Sequence, residues 1–428
     1  MLLKGATLVS LDPPRVEEVD LRIEADRIAE RGAALAARAG EEILGLEGRV
    51  VLPGLVNAHT HLYGALARGM PGPAKPPRGF LEILERIWWR LDGALDDETV
   101  YLSGLVGGIE AALSGTTLLF DHHASRACIR GSLKTLRRAL EEVGLRSVLC
   151  YEVTDRNGAD GREQGIQENV AFSSEPPTPL TRGMVGAHAS FTLSDEALAA
   201  LAAAIRDRST SLHVHVAEDR VDVEDCHNRF GLGLVERFRR HGLLGPNSLL
   251  AHCVHLAPAE LEQAQAGGAW IAHNPRSNMN NAVGRAPTRA FVRAALGTDG
   301  VDEDMLAEAR AAYLGMKETG RNDAADAALA LLAGGQRLGA AFFGLRFGVL
   351  DPGAPADLVI TDYRPPTPIH SENAGTHLLF GIDRSHVRSV MVAGRLVVRD
   401  RRVTGVDADA VLARARVAAG RLWERMRD

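Results

Sequence analysis

The sequence predicts an α/β fold: a (β/α)8 TIM barrel inserted in a small β-sandwich domain that both chain ends form. Two observations predict the barrel, since apolar strand-like runs alternate with helical stretches in the middle of the chain, and eight such runs are present. Short alternating runs with Gly turns at both ends predict the second domain. We expect the β domain at 1–53, the barrel at 54–344, and the rest of the β domain with a C-terminal helix at 345–428.

The two chain ends share one pattern of short strands. The first 50 residues contain "MLLKGATLVSL" and "VDLRIEADRIAERG", in which apolar and polar residues alternate. The far end returns to this pattern in "GVLDPGAPADLVITDY" and "HVRSVMVAGRLVVRDRRVTG", which are rich in β-branched residues and Gly turns. Because the two ends resemble each other and differ from the middle, we predict that they fold together.

The middle of the chain supplies the barrel units in order. Its apolar runs are too continuous for half-exposed strands, and they are separated by Ala/Leu/Glu/Arg-rich helical stretches such as "SDEALAALAAAIRDR", which begins with an N-cap Ser. The candidate strands are "RVVLPGLVNAHTH", "TTLLFDHHAS", "RSVLCYEVTD", "GMVGAHASF", "SLHVHVAED", "SLLAHCVHL", "AWIAHNP" and "RAALGTDG".

Bulk composition excludes several classes of function. The formal net charge of −6 gives no electrostatic reason to expect nucleic acid as a partner. No stretch of about 18 apolar residues suggests a membrane span, and the N-terminus lacks the features of a signal peptide. The four cysteines form no CxxC pair, so neither a disulfide framework nor a structural zinc knot is indicated. These features predict a cytoplasmic location.

Two histidines end the first candidate barrel strand in "LVNAHTHL". In a strand, side chains two residues apart point to the same face, so His59 and His61 would project together. The alternative is a coincidental pair on a half-exposed strand. Later strands also end in polar groups, at the edge where TIM-barrel active sites lie. Imidazoles and carboxylates that converge there suit a divalent transition metal. The residues in question are His188, His213, His215, Glu218, His252, His273, Asn274 and Asp299.

These motifs resemble a known group of enzymes. "PGLVNAHTHL", "HVHVAED", "AHCVHL", "HNPRSNMNNAVG" and "LGTDG" are similar to the amidohydrolase superfamily, in its aminohydrolase branch of deaminases and chlorohydrolases. "ARGMPGPAKPPRGFLEILERIWWRLD" and "DHHAS" resemble SsnA-type aminohydrolases, which are linked to selenium metabolism. The resemblance covers nearly the whole chain.

The resemblance implies a role for each matching residue. His59, His61 and His215 would be metal ligands, with Asp299 as the fourth. Glu218 would be the acid/base, and His252 would polarise the attacked group or position the water. Asp299 would also take the proton from the water. Such a site fits a metal-activated water that attacks a carbon bearing an exocyclic amine.

The lysines bear on the number of metal ions. Binuclear members of the superfamily bridge their metals with a modified lysine late in strand three or four. This chain has four lysines, Lys4, Lys75, Lys134 and Lys317, and none ends a candidate barrel strand. We therefore expect one divalent ion. Zinc is the default and iron the alternative, because His and carboxylate ligands do not discriminate between them.

The expected reaction is hydrolytic deamination of an amino-substituted heterocycle, a small-molecule substrate. Hydrolysis of a cyclic amide or of a halide remains an alternative, as does a metal-binding accessory role in selenium-dependent metabolism. Candidate substrate contacts are His188, His122 and Arg68, and the resemblance implies a homodimer. Relatives carry a few more residues than "RAPTRAFVRAA" before "LGTDG", which leaves the register of strand eight and the approach to Asp299 open.

Overall fold

The chain folds into a parallel barrel flanked by a sheet built from its two ends. The computed structural model describes residues 1–208 and 210–427. All eight candidate runs form strands, hydrogen-bonded in parallel in chain order, so the predicted fold class is confirmed. The barrel strands, numbered one to eight, are Leu55–Thr60, Thr116–His123, Arg146–Val153, Val185–Ala189, Leu212–Val216, Leu249–His252, Trp270–His273 and Ala294–Leu296.

A single bridge closes the barrel. Thr60 at the end of strand one pairs in parallel with Asp299, just beyond strand eight. Strand eight is only three residues long, but it pairs in regular register with strand seven. The short connection between these two strands holds a helix at Pro275–Asn280 and one 3-10 turn at Thr288–Ala290. The shortened segment therefore leaves Asp299 at the barrel mouth.

Helices surround the barrel and begin and end where their sequences dictate. The helix Asp97–Leu113 begins with a capping box, in which Asp96 and Thr99 each accept the other's backbone N–H. The amphipathic helix Ser132–Val143 ends at Gly144, whose φ of 95° places it in the left-handed region. The other helices around the barrel are Gly158–Ser173, Asp195–Arg208, Arg220–Phe230, Leu234–Arg240, Pro258–Ala266, Met305–Glu318 and Ala324–Phe343.

The helix Ala324–Phe343 packs unusually close to the barrel. A Cβ built on Gly334 would lie 1.9 Å from the carbonyl oxygen of Ala294 in strand eight, and one on Gly335 would lie 3.0 Å from the oxygen of Val56 in strand one. Only glycine permits such an approach of two backbones. This helix therefore holds together the two strands that meet at the closing bridge.

Strands from both chain ends form one continuous nine-stranded sheet. The sheet curls, because Arg27 near one edge pairs with Pro355 from the segment that leads into the C-terminal strands. The predicted β sandwich is thus a single curled sheet around its own apolar core, and the exact bounds 1–53, 54–344 and 345–428 stay a prediction. Its strands are Leu2–Leu11, Pro14–Glu24, Arg27–Gly32, Ile43–Gly45, Val50–Pro53, Leu358–Thr361, Val387–Val392, Arg395–Arg399 and Arg402–Val403, with a short helix at Ala374–Phe380.

A helical segment at residues 80–94, here called the roof segment, covers the barrel mouth. It consists of Phe80–Ile83, a π-helical stretch at Leu84–Trp88, and Trp89–Ala94. Phe80 and Leu84 join an apolar cluster with Val254 and Val283, from the connections after strands six and seven. The roof segment is therefore anchored across the mouth by apolar contacts, and π-helical turns of this kind are frequent at functional sites.

The last helix of the chain, Ala408–Arg425, braces the roof segment. The indole Nε1 of Trp423 donates to the carbonyl oxygen of Leu66 at 2.9 Å. The guanidinium Nε of Arg425 donates to the carbonyl oxygen of Ala94 at 2.8 Å. Both acceptors lie on the connection after strand one, at either end of the stretch that carries the roof segment. Among the described residues, no helix is long and apolar enough to cross a membrane.

Candidate active site

Four side chains from two strand ends and the closing bridge converge at the barrel mouth. The Nε2 atoms of His61 and His215 lie 3.1 Å apart. The Asp299 Oδ1 atom lies 3.1 Å from the His61 Nε2 and 3.7 Å from the His59 Nε2. His59 lies near the end of strand one and His61 directly follows that strand, two residues on, as the sequence predicts. The ligand atoms of His59, His61 and Asp299 lie within 4.8 Å of one another, and His215 adjoins His61.

Hydrogen bonds at Nδ1 fix the orientation of all three imidazoles. The His61 Nδ1 lies 2.6 Å from the carbonyl oxygen of His122, and the His215 Nδ1 lies 2.9 Å from that of His188. A carbonyl oxygen only accepts, so both Nδ1 atoms carry a proton, and both Nε2 atoms are left to face a bound ion, for which the His61 Nε2 would give up the proton that it shares with Asp299. The His59 Nδ1 lies 2.9 Å from the His213 Nε2. His213 therefore orients a candidate ligand.

The donor set fits a metal ion. The His59 Nε2 atom is buried and has no hydrogen-bond partner among the described residues. Burial, with the neighbouring histidines, lowers the pKa of His59 well below its ordinary value, so the ring is neutral and offers a lone pair. A buried polar atom without a partner is costly unless something binds it. His59, His61 and Asp299 lie close enough together to share one ion.

The backbone and Ser277 hold Asp299 in place. Its φ of 55° lies in the left-handed region, which a residue other than glycine adopts at a cost. The Ser277 hydroxyl donates to the Asp299 Oδ2. Burial alone would raise the pKa of Asp299, but the hydrogen bonds from His61 and Ser277 and the charges nearby hold that pKa below its ordinary value. Asp299 is therefore an ionised carboxylate.

Glu218 lies beside the candidate metal ligands, and its pKa is shifted in the opposite direction from that of Asp299. Burial raises the pKa of Glu218 to about 7, and the negative charge of Asp299 acts in the same direction. The Asn281 Nδ2 donates to its Oε1 at 3.3 Å. A carboxyl group with a pKa near neutrality can both give and accept a proton at physiological pH. Two neighbouring carboxyl groups with pKa values pushed apart are typical of acid/base sites.

His252 faces both carboxyl groups. Its Nε2 lies 3.5 Å from the Glu218 Oε2 and 3.7 Å from the Asp299 Oδ2, and has no hydrogen-bond partner among the described residues. Its Nδ1 lies 2.8 Å from the Asn278 Oδ1. The amide oxygen accepts the Nδ1 proton, which turns the Nε2 atom toward the site. His252 also has a positive φ, of 73°.

A cavity of about 420 Å³ opens above these residues. This volume lies in the range of about 300–1,000 Å³ that is typical of small-molecule sites. His61, His215 and Asp299 line its floor, and Trp88 and Trp89 of the roof segment line its upper part. The tryptophan pair of the roof segment thus contributes to the cavity.

The three candidate substrate contacts lie in different places. His188 lines the cavity, and Arg68 lies at its rim with its guanidinium paired to Glu110. His122 does not line the cavity. Its ring is fully buried, with Nε2 3.1 Å from the Ala187 carbonyl oxygen, so the structure does not support His122 as a substrate contact.

Sequence reasoning missed two carboxyl groups on the cavity wall, Glu152 and Asp92. Glu152 lies near the end of strand three, and the rule that polar residues at strand ends form the site would have found it. Burial alone would raise the pKa of Glu152, but His188, His122 and Arg156 hold that pKa well below its ordinary value. Asp92 comes from the roof segment, whose position over the cavity no local pattern indicates.

Comparison with known protein families shows to which family the chain belongs. Residues 50–397 match the amidohydrolase family. The chain belongs to the amidohydrolase family. It is 32% identical over 425 residues to 5-methylthioadenosine/S-adenosylhomocysteine deaminase of Desulforudis audaxviator, covering 95% of each chain. It is 30% identical over 439 residues to 5'-deoxyadenosine deaminase of Methanosarcina mazei, covering 100% of this chain and 99% of that one.

Solved structures share the fold of this amidohydrolase. An adenosine deaminase from Xanthomonas campestris with bound zinc superimposes with a TM-score of 0.84 at 24% identity, over 98% of both chains. Atrazine chlorohydrolase from Arthrobacter aurescens, complexed with zinc, gives a TM-score of 0.82 at 21% identity, over 98% of this chain and 99% of that one. The predicted aminohydrolase branch is confirmed: the chain is a metal-dependent hydrolase of C–N bonds that deaminates a heterocycle.

Proposed function

We propose that this amidohydrolase removes the exocyclic amino group of an adenine-containing nucleoside as ammonia. One observation carries the proposal: three imidazole lone pairs and the ionised Asp299 meet beside Glu218, whose pKa is raised to about 7 by burial. A site that only bound a metal would need no acid/base next to it. This argues against the accessory role that the sequence left open.

His59, His61, His215 and Asp299 would hold the ion, with zinc as the default metal and iron as the alternative. A divalent ion bound there lowers the pKa of a water molecule toward neutrality. The three histidines contribute neutral donors and Asp299 a single negative charge, which leaves the site a net positive charge when the ion is bound. Support for zinc comes from the similar fold of two zinc-containing structures.

The remaining residues move protons and hold atoms. Asp299 accepts a proton from the attacking water, while Ser277 keeps its Oδ2 oriented through a hydrogen bond. Glu218 gives its proton to the ring nitrogen next to the carbon under attack, then takes the proton of the added hydroxyl group and passes it to the departing amine. The proton held by Asp299 finally returns to Glu218. His252, held by Asn278, fixes the developing hydroxyl group through its Nε2. The net change replaces the amino group by an oxygen and releases ammonia.

Two relatives support adenine as the ring. Their names give 5-methylthioadenosine, S-adenosylhomocysteine and 5'-deoxyadenosine as substrates, and this chain aligns with both proteins over nearly its full length. Halide or cyclic-amide hydrolysis on the same site is the alternative, since atrazine chlorohydrolase shares the fold. Product analysis separates the reactions, because only deamination releases ammonia.

The test measures ammonia release by protein loaded with zinc or with iron, across adenosine, 5'-deoxyadenosine, guanine, amino-pyrimidines and amino-triazines. Glu218→Gln is the matched control, since it keeps the size of the side chain and removes its proton. We expect release from the adenine nucleosides, one metal ion per chain in both proteins, and a loss of at least about 100-fold in the variant. Release that persists in Glu218→Gln, or no release from any adenine compound, would overturn the proposal.

Two further expectations concern the protein as a whole. We propose a cytoplasmic location and a homodimer. The location can be tested by cell fractionation and the homodimer by light scattering of the purified protein. Neither expectation enters the chemistry of the site.

A further inference from the structure

The cavity is lined by far more carboxyl groups than cationic groups. Among the described residues, Arg68 is the single guanidinium on its lining, and both of its terminal nitrogens are bound to Glu110. No lysine lies there. The carboxyl groups on the lining are Asp92, Glu152, Glu218, Asp219, Asp222 and Asp299.

Most of these carboxyl groups are already engaged. Asp222 accepts backbone N–H groups at both oxygens, from Phe191 at 3.0 Å and from Ala217 at 2.9 Å. Asp219 caps the helix that begins at Arg220. Asp299 and Glu218 belong to the catalytic group described above. Asp92 and Glu152 are left, and neither has a role in the reaction.

Glu152 presents a free oxygen to the cavity. Its residue is 4% exposed, and its Oε1 accepts from the Arg156 Nη2 at 2.7 Å. Its Oε2 accepts no hydrogen bond from the described residues, because the nearest donor, the His122 Nδ1, is 3.5 Å away. A carboxylate oxygen without a close partner on a cavity wall can accept a hydrogen bond from a group that enters the cavity.

Asp92 has a similar arrangement. Its residue is 4% exposed, and its Oδ2 lies 3.4 Å from both terminal nitrogens of Arg156. Its Oδ1 accepts no hydrogen bond from the described residues. The two carboxyl groups thus share one guanidinium, and each keeps one oxygen free. Asp92, Glu152 and Arg156 are here called the acidic wall.

Arg156 is not available to a substrate anion. Its guanidinium bonds to both carboxyl groups and to the Thr154 hydroxyl, and it stacks on Trp89 with its Cζ 4.4 Å from the ring centroid. Arg156 also does not line the cavity. A phosphate or carboxylate that entered would therefore meet the free oxygens of the acidic wall without a cation to pair with.

We propose that the acidic wall makes this enzyme selective for substrates whose substituent is uncharged or cationic and donates hydrogen bonds, and that it rejects phosphorylated or carboxylate-bearing analogues. The inference rests on the proposed function, which places an adenine ring on the cavity floor. The proposal distinguishes among the substrates that appear in the names of the two relatives. 5'-Deoxyadenosine is uncharged and its ribose hydroxyls can donate to the wall, whereas S-adenosylhomocysteine carries a carboxylate as well as an ammonium group. Repulsion of this kind is a common source of specificity.

The test compares three ligands that differ only in the group at the 5' position. Adenosine is neutral, adenosine 5'-phosphate is anionic, and 5'-amino-5'-deoxyadenosine is cationic. The value of kcat/KM for ammonia release is measured for each with the metal-loaded wild type, Glu152→Gln and Asp92→Asn. Glu196→Gln is the matched control, because Glu196 is an exposed carboxylate in the groove outside the cavity. Metal content and melting temperature are recorded for every variant.

We expect the wild type to disfavour the phosphate by at least about tenfold against adenosine, and the amine to be accepted. Glu152→Gln should reduce the ratio of kcat/KM for adenosine to kcat/KM for the phosphate by about tenfold. Asp92→Asn should reduce this ratio less, and Glu196→Gln should leave it unchanged. Equal rates for the three ligands, or a ratio that Glu152→Gln does not alter, would overturn the proposal.

A second measurement keeps the outcome independent of turnover. Equilibrium binding of the same ligands to metal-loaded Glu218→Gln, with and without Glu152→Gln, reports the charge preference even if no ammonia is released. A charge preference without turnover would overturn the proposed reaction and uphold the acidic wall. Turnover without a charge preference would do the reverse, and binding of none of the three would overturn both.

Discussion

Thr60 and Asp299 form the bridge that closes the barrel, and Glu303 lies behind that bridge. The Thr60 hydroxyl donates to the Glu303 Oε1 at 2.7 Å, and the Asn57 Nδ2 donates to its Oε2 at 2.7 Å. Asn57 in turn accepts the backbone N–H of Thr298 at 3.1 Å. One buried carboxyl group therefore ties the strand that carries His59 and His61 to the loop that carries Asp299.

We expect Glu303→Ala to weaken metal binding by about 10–100-fold, because the residues that orient metal ligands contribute at this level. Glu303→Gln keeps two hydrogen-bonding atoms and should restore most of the affinity. Competition with a chromophoric chelator measures the dissociation constant. Metal binding by Glu303→Ala that is as tight as in the wild type would show that the bridge holds without this carboxyl group.

Asn278→Ala should slow ammonia release and leave the metal content unchanged. The variant removes the acceptor of the His252 Nδ1 proton and leaves a buried donor unpaired, at a cost of about 1–3 kcal/mol. If that cost falls on the transition state, kcat drops by about 5–150-fold. Met279→Ala is the control, because Met279 is 54% exposed on the same helix. An unchanged kcat in Asn278→Ala would exclude an orienting role for the amide.

The sequence was sufficient to predict a candidate ligand set but not the residues that support it. Period two places His59 and His61 on one face, and the strand-end rule collects His215 and Asp299, so a local pattern with a fold class is enough. Ser277, Asn278 and Asn281 come from a six-residue helix and the residue after it. Their partners are set by tertiary contacts, which no spacing along the chain reveals.

The contacts within the acidic wall also could not be predicted from sequence patterns alone. Glu152 could be found as a polar residue near a strand end, but its pairing with Asp92 through Arg156 depends on where the roof segment crosses the mouth. His122 shows the converse error. Adjacent histidines on a strand point to opposite sides, and a pattern alone cannot distinguish a ring in the cavity from one bonded to backbone beneath it.

Gly334→Ala should destabilise the protein by about 1–3 kcal/mol or more, because the added methyl group would overlap the carbonyl oxygen of Ala294. Gly315→Ala is the matched control. It lies inside the helix Met305–Glu318 with nothing within 4 Å of the new Cβ, so it should stabilise by about 0.5–1 kcal/mol. Melting temperatures of the two variants test this. Destabilisation by both would point to helix flexibility rather than to close packing.

Removal of the metal should lower the melting temperature, and added zinc should restore it. A ligand that binds only the folded state stabilises it by about 2.7 kcal/mol at a concentration 100 times its dissociation constant. Glu218→Gln should show the same shift, since it keeps every candidate ligand. His61→Asn should show a much smaller shift. An equal shift in His61→Asn would place the ion somewhere else.

An ion pair in the chain-end sheet should make stability depend on pH in the acid range. The hydrogen bond from Arg22 lowers the pKa of Glu41 to about 2. A depressed pKa adds stability that is present above the unfolded value of about 4.3 and is lost as the pH falls toward 2. The melting temperature of the wild type should be higher than that of Glu41→Gln at pH 5. This difference in melting temperature should be smaller at pH 3. A difference that stays constant with pH would contradict this.

The brace that the last helix places on the roof segment has a consequence for how the enzyme is made. The ribosome synthesises the chain from its N-terminus to its C-terminus, so the candidate metal ligands are all made before the helix Ala408–Arg425. The hydrogen bonds from Trp423 and Arg425 form only after this helix has been synthesised. In a nascent or prematurely ended chain, the histidines can therefore assemble at the barrel mouth while the roof segment still lacks its hydrogen bonds to the last helix. A translation product that ends before these residues would bind metal in a poorly closed site.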